Sequence, residues 1–75
     1  MARLLFFGAT ADIVGSREIE RHASTSSELL IDLVAEFPRL SSHKLLLSVN
    51  REYVREDAPL LDSDEVAIFT AVSGG

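Results

Sequence analysis

The last twelve residues, 64–75, read DEVAIFTAVSGG and join a strongly apolar run to two closing glycines. Residues 66–70 have the length and apolar, partly β-branched character of a buried strand. We therefore expect a final strand over 66–70, followed by a flexible tail, about 71–75, that carries Gly74 and Gly75 away from the folded body.

Two terminal glycines are uncommon, since average glycine usage near 7% puts them together at a chain end by chance at roughly half a per cent. A Gly-Gly end has no side chains to clash, so an enzyme could draw it through a narrow channel. We predict that the functional group is the terminal carboxylate of Gly75, and that Val72, Ser73 and Gly74 present it.

Length and composition favour a carrier over an enzyme. The chain has 75 residues, 47% of them hydrophobic, which fits one domain over 1–75 with little surplus stability to hold a strained active site. No apolar stretch approaches the roughly 18 residues that a membrane span needs, and the apolar run near the start is too short for a signal peptide. We expect a cytoplasmic protein with no membrane partner.

Charge and residue types exclude several kinds of site. The formal net charge is −5 and Lys44 is the only lysine, so we expect a basic protein surface and no nucleic acid as partner. Without cysteine there is no thiolate nucleophile and no Cys-based zinc site. His22 and His43 lack ligand-spaced partners, and the acidic cluster 62–65 lacks the glycine of a calcium loop. We predict neither a metal nor a bound cofactor.

Further apolar runs predict the other strands. Residues 3–8 fit a strand buried on both faces, and 16–22 a charged edge strand that pairs with it as a loose hairpin. Residues 45–49 fit another strand, after which Asn50 begins a turn into residues 53–54.

One helix is predicted between these strands. Thr25 and Glu28 have the capping-box spacing at its start, and Pro38 ends it. One face of this helix is apolar, and the opposite face carries an acidic ridge of Glu28, Asp32 and Glu36.

These elements predict an α+β fold in which a mixed sheet is crossed by one main helix. The first and last strands are the most apolar, and the helix lies between them in sequence. We expect them side by side and parallel at the centre of the sheet, which is the β-grasp (ubiquitin-like) arrangement.

Phe6 and Phe7 must point to opposite faces of the first strand, because side chains alternate along a strand. Only one of them can face the helix. The other is either covered by loops or belongs to an apolar docking patch, and the sequence favours neither alternative.

Residues along nearly the whole chain resemble the small subunit of molybdopterin synthase. The matching segments, in order, are LFFGA at 5–9, IVG at 13–15, VN at 49–50, YV at 53–54, PL at 59–60, DEV at 64–66 and VSGG at 72–75. Each motif is weak by itself, but their order and spacing are specific.

The resemblance implies a sulfur carrier. In that family an adenylating enzyme uses ATP to convert the C-terminal glycine, here Gly75, to an acyl-adenylate, and sulfur then replaces AMP to give a thiocarboxylate. The tail inserts into the large synthase subunit and delivers sulfur to a pterin precursor, in a complex of two small subunits on a dimer of large ones. The resemblance also assigns Phe7, Leu60 and Phe69 to an apolar surface that binds the two protein partners alternately.

A few positions depart from the family's pattern. Ser63 and Arg51 stand where turn glycines are common, which puts the geometry of those two turns in doubt. Thr70 and Ala71 occupy a stretch often rich in proline, which predicts a more mobile tail.

Three alternatives remain. A thiamin-type sulfur carrier would share the Gly-Gly end but usually has a shorter front half. A ubiquitin-like modifier would form isopeptide bonds, although Lys44 would allow only one branched linkage. A plain interaction domain would carry the two glycines by accident.

Overall fold

The computed structural model describes residues 1–54 and 56–70. In chain order the elements are β1 (Ala2–Phe6), α1 (Ala9–Val14), β2 (Glu18–Arg21), α2 (Ser26–Glu36), a 3₁₀ turn (Pro38–Ser42), β3 (Leu45–Val49), β4 (Glu52–Val54) and β5 (Glu65–Thr70). Each predicted strand is present, and the last one begins one residue earlier than expected.

The strands of the described chain form one five-stranded sheet in the order β2-β1-β5-β3-β4. The central strands β1 and β5 are parallel, with Leu4 opposite Val66 and Phe6 opposite Ile68. The other neighbouring pairs are antiparallel. The predicted mixed sheet with its first and last strands paired at the centre is confirmed, and with it the β-grasp fold.

The connection between β1 and β2 differs from the sequence prediction. The two strands pair antiparallel as expected, but residues 9–14 form the short helix α1 rather than a loose hairpin loop. Gly15 ends this helix with φ 81° and donates its N–H to the carbonyl of Ala11 at 2.8 Å. Alanines at 9 and 11 with a left-handed glycine after the last turn are a helix signal that the small-residue composition hid.

Side-chain hydrogen bonds occupy backbone carbonyls at the outer edge of β2, in addition to the charged side chains there. The backbone carbonyl of Glu18 accepts from the hydroxyl of Ser16 at 2.9 Å, and that of Glu20 accepts from the guanidinium of Arg21 at 2.9 Å. The backbone groups of Arg17, Ile19 and Arg21 face β1 instead, and the Arg17 carbonyl accepts from the N–H of Phe6. The free edge therefore offers few groups for strand addition, which agrees with the predicted protected edge.

Helix α2 begins and ends where the sequence predicts. The hydroxyl of Thr25 accepts from the backbone N–H of Glu28 at 3.2 Å, and the helix stops at Glu36, two residues before Pro38. Its buried leucines, Leu29 and Leu33, are 1% exposed and pack on the face of the sheet formed by the core residues of β1 and β5. None of the described helices is both long and apolar enough to cross a membrane.

A polar clamp ties the β3–β4 turn to the start of β5. The side chain of Asn50 donates to the carboxylate of Asp64 at 2.9 Å and accepts from the backbone N–H of Glu65 at 3.0 Å. The other oxygen of Asp64 accepts from the N–H of Leu61 at 2.8 Å. These two donors, the Leu61 amide first, hold the pKa of Asp64 below its ordinary value. The acidic cluster 62–65 is thus a turn entering the last strand, as predicted.

The two doubtful turns have different geometries. Ser63 does not have positive φ, so a glycine is not needed there. Asn50 and Arg51 have φ of 51° and 72°, and they link two antiparallel strands whose last paired residues are Val49 and Glu52. Two positive φ values are what a type I′ hairpin turn requires, and arginine is a poor residue for the second of them.

We expect Arg51→Gly to stabilise the protein by about 0.5–1 kcal/mol, because glycine adopts positive φ without steric cost. For a domain of this size the melting temperature should rise by roughly 2–8 °C. Thermal unfolding followed by circular dichroism would measure it, with Arg51→Ala as the control that removes the same side chain without relieving the strain. A gain of equal size in both variants would show that the side chain, and not the backbone, was the source.

Candidate functional site: the open face of the sheet

Helix α2 covers one face of the sheet, and no other element of the described chain covers the opposite face. Along β1 the side chains alternate, so that Phe6 is 2% exposed in the core whereas Phe7, just past the strand's end, is 54% exposed. In β5 the core residues are Val66 and Ile68, which leaves Ala67 and Phe69 on the opposite face. This answers the question that the sequence left open: within residues 1–54 and 56–70, no loop covers Phe7.

Phe7 and Phe69 lie together on this uncovered face. They line one shallow pocket together with Gly8, Ala67 and Thr70. The ring of Phe69 also meets Tyr53 of β4 edge to face, with ring centroids 5.8 Å apart and an interplanar angle of 68°. An edge-to-face pair holds both rings in place while leaving their outer surfaces accessible.

The uncovered apolar side chains form a continuous group across four strands. Cross-strand partners point to the same face, and the register pairs Leu5 with Ala67 and Leu46 with Phe69. We call this group the open-face patch, and it consists of Leu5, Phe7, Leu46, Tyr53, Ala67 and Phe69. Exposed apolar groups of this kind are typical of interaction surfaces.

The structure does not bring Leu60 into this patch. Its side chain is 7% exposed and belongs to the core. The reason is that its backbone N–H donates to the carbonyl of Ser24 at 2.9 Å, while Pro59 bridges to Thr25, so the segment is fastened to the chain leading into α2. Its neighbour Leu61 is 66% exposed instead. The assignment of Leu60 to the exposed apolar surface is therefore corrected: in this structure it supports the fold from inside.

Acidic side chains border the patch on the β2 side. Glu18 is paired with Leu5 and Glu20 with Arg3, which places both carboxylates on the open face. Arg3 contacts Glu65 at 2.7 Å and Glu18 at 3.8 Å. These exposed ion pairs contribute little to stability, but they leave an acidic excess beside an apolar centre. A partner with an apolar spot and a basic rim would match this surface.

Sequence reasoning missed four members of the patch: Leu5, Leu46, Tyr53 and Ala67. For Leu5 and Ala67 the signal was present, because they stand two residues before Phe7 and Phe69 and so share their faces. For Leu46 and Tyr53 the strand register was needed, and the sequence does not specify it.

The predicted tail residues Val72, Ser73, Gly74 and Gly75 lie outside the described residues. The last described residue, Thr70, ends β5 at the pocket that Phe7 and Phe69 line. The described part of the chain therefore ends beside the open-face patch, and a partner bound to the patch would lie next to the residue after which the predicted tail begins.

A family model supports a relationship along almost the whole chain: residues 4–75 match that of the ThiS family. The chain is 37% identical over 81 aligned positions to the molybdopterin synthase sulfur carrier subunit of Escherichia coli (strain K12), with 100% of both chains covered. It is 33% identical to the protein of the same name from Dictyostelium discoideum, covering 97% of this chain and 94% of the relative.

Solved structures share the fold. The small archaeal modifier protein 1 of Methanosarcina acetivorans superposes with a TM-score of 0.85 at 20% identity, covering 99% of this chain and 95% of that one. A chain of the Amycolatopsis orientalis BexX/CysO complex gives a TM-score of 0.79 at 20% identity, with both chains covered completely. At this identity the likeness concerns the fold alone.

Proposed function

The chain belongs to the ThiS family, and from this premise we propose that it is the sulfur carrier subunit of a molybdopterin synthase and serves molybdenum cofactor biosynthesis. The observation that carries the proposal is the 37% identity, over 100% of both chains, to a sulfur carrier subunit of that synthase. The strand that runs beside the open-face patch toward Gly74 and Gly75 supports the same function.

The chemistry is placed at Gly75. A carboxylate is a poor electrophile, so its oxygen first attacks the α-phosphorus of ATP on an adenylating enzyme, and pyrophosphate leaves. Sulfur delivered at the oxidation level of hydrosulfide then attacks the acyl carbon, the carbon–oxygen bond to the phosphate breaks, and AMP leaves the thiocarboxylate behind. The chain has no cysteine that could intercept the adenylate. The carrier holds no cofactor of its own in this scheme, and Val72, Ser73 and Gly74 hold the reactive end out to each partner.

The partners dock on the open-face patch. Phe7 and Phe69 are its aromatic anchors, and the carboxylates of Glu18 and Glu20 fit a basic rim on the partner. The adenylating enzyme and the large synthase subunit use the patch in turn, in the latter case as a hetero-tetramer. Because the two partners bind the same patch in turn, each complex must dissociate. A small patch with a charged border allows this, whereas a large apolar interface would form a permanent complex with one partner.

The ubiquitin-like modifier alternative has less support. Lys44 is exposed and is the only lysine, so it would be the single site for a branched chain. The likeness to the archaeal modifier concerns the fold and carries no chemistry. We place the carrier in the cytoplasm, where ATP for the adenylation step is available.

Intact-mass spectrometry tests the proposal directly. After incubation with an adenylating enzyme, ATP and a sulfur donor, the protein should gain about 16 Da, because one carboxylate oxygen is replaced by sulfur. Alkylation with iodoacetamide should then add one adduct per chain, although the chain has no cysteine. Persistent absence of the heavier species from both this reaction and protein isolated from its host would refute the carrier function.

A further inference from the structure

The open face of the sheet is apolar at one end and charged at the other. The apolar end carries the aromatic rings of Phe7 and Phe69. Arg3 precedes Phe7 by four residues, which corresponds to about 13 Å along an extended strand. The register places Arg3 between Glu20 of β2 and Glu65 of β5, so these three charged residues form a row across the sheet.

The guanidinium of Arg3 is held by carboxylates at this charged end. Its Nη2 atom donates to Oε2 of Glu65 at 2.7 Å, and its Nε atom lies 3.8 Å from Oε2 of Glu18. The three side chains are between 35% and 54% exposed. The ion pairs between described residues do not include the carboxylate of Glu20. One cation of the chain therefore lies among three carboxylates on an accessible surface.

The contacts of Arg3 show which chemical group these carboxylates accept, because a guanidinium of the chain already binds them. A basic side chain on a docked protein would be attracted to the same oxygens. Arg3 opposes that attraction in two ways. It occupies acceptor positions on Glu65 and lies beside Glu18, and its own positive charge repels a second cation.

We propose that Arg3 competes with the basic side chains of the partner for the acidic border of the open-face patch, and so weakens docking. The inference rests on the proposed function, in which the large subunit brings a basic rim to this border. In the free carrier Arg3 neutralises part of the border. Each complex is therefore weaker than the apolar anchors and the carboxylates alone would make it, which suits a carrier that must exchange its partners.

Arg3→Gln tests this competition, because glutamine keeps a long polar side chain and removes the cation. We expect the variant to bind the large subunit about 3- to 5-fold more tightly than the wild type at low salt, as the loss of an exposed charge pair allows. The gain should vanish near 1 M salt, where the screening length falls to about 3 Å. The melting temperature should change little, since ion pairs this exposed contribute little to stability. Titration calorimetry measures the affinity.

Two variants separate this local effect from other causes. Arg39→Gln removes the same charge from the 3₁₀ turn after α2, and its affinity should stay within about 1.5-fold of the wild type. Arg3→Lys keeps the cation at the same place and should bind like the wild type. Unchanged or weaker binding by Arg3→Gln, an equal gain in Arg39→Gln or Arg3→Lys, or a gain that persists at 1 M salt would each overturn the competition.

The wild-type measurement separates this inference from the proposed function. A wild-type chain that neither binds the large subunit nor transfers sulfur to it would overturn the proposed function, and with it the role of Arg3. Normal binding and transfer by the wild type, without tighter binding by Arg3→Gln, would overturn the inference alone.

Discussion

Deletion of Gly75 should abolish sulfur transfer while leaving the melting temperature within about 2 °C of the wild type. The reaction is expected to fail because the shortened tail places its carboxylate one residue, about 3.5 Å, away from the reacting centre. The fold should persist because the buried core of the described chain ends at Ile68. Intact mass after incubation with the adenylating enzyme, ATP and sulfur donor, and again after addition of the large subunit, measures sulfur loading and transfer. Thermal unfolding measures the melting temperature.

Gly75→Ala is the matched control for this deletion. It retains the length of the chain and a terminal carboxylate, and adds only a methyl group next to the reacting carbon. We expect its rate of sulfuration to lie below that of the wild type and above that of the deletion variant. The added methyl group makes the tail bulkier in a narrow channel but does not move the carboxylate. Undiminished transfer by the deletion variant would contradict the assignment of Gly75, and a large loss of stability would show that the end of the chain contributes to the fold.

The second large effect is expected from Phe7→Arg. The substitution removes an aromatic anchor and places a cation where we propose that a basic-rimmed partner docks. Loss of an anchor of this kind costs 2 kcal/mol or more, which corresponds to a fall in affinity of roughly 30-fold or more. Because the Phe7 side chain is already 54% exposed in the free protein, the melting temperature should change little. Titration calorimetry with the large subunit and with the adenylating enzyme measures the affinities.

Ile31→Arg provides the comparison for this variant. Ile31 is a large apolar residue of α2, 70% exposed, on the helix that covers the other face of the sheet. The same chemical change there should leave both affinities within about 2-fold of the wild type, because the residue lies outside the proposed interface. If Ile31→Arg weakened binding and Phe7→Arg did not, the docking surface would have to be moved to the helix side.

Leu60 and Leu61 show a difference in burial that could not be predicted from the sequence. The two residues are identical in type and adjacent in the chain, and the resemblance assigned Leu60 to the exposed surface, whereas the structure exposes Leu61. Which one is buried depends on hydrogen bonds between residues 58–60 and the chain before α2. Those contacts join positions more than thirty residues apart, so no local pattern contains them.

Helix α1 was missed for another reason. Its six residues are too few to show an apolar periodicity, and their small side chains also fit a loop. Thr10 is buried in this helix, where its hydroxyl bonds the backbone of Phe7, just after β1, and the carbonyl of Ile68 in β5. The buried hydroxyl of Thr10 could therefore not be predicted from the sequence.

The sequence by itself determined the main helix with its cap and its end, the strands, the parallel pairing of the first and last strands, and the glycines on which the proposed chemistry depends. The helix, the strands and the glycines depend on neighbouring residues, on apolar period and on the physical limits of proline and glycine, all of which act locally. The parallel pairing was predicted from the order of the elements, because the helix lies between the two most apolar strands in sequence. Only the tertiary structure decided that Leu60 is buried, that Tyr53 meets Phe69 and that Thr10 joins the two central strands. Each of those facts depends on packing between distant segments, and burial there is decided by which surfaces meet, not by the residue types alone.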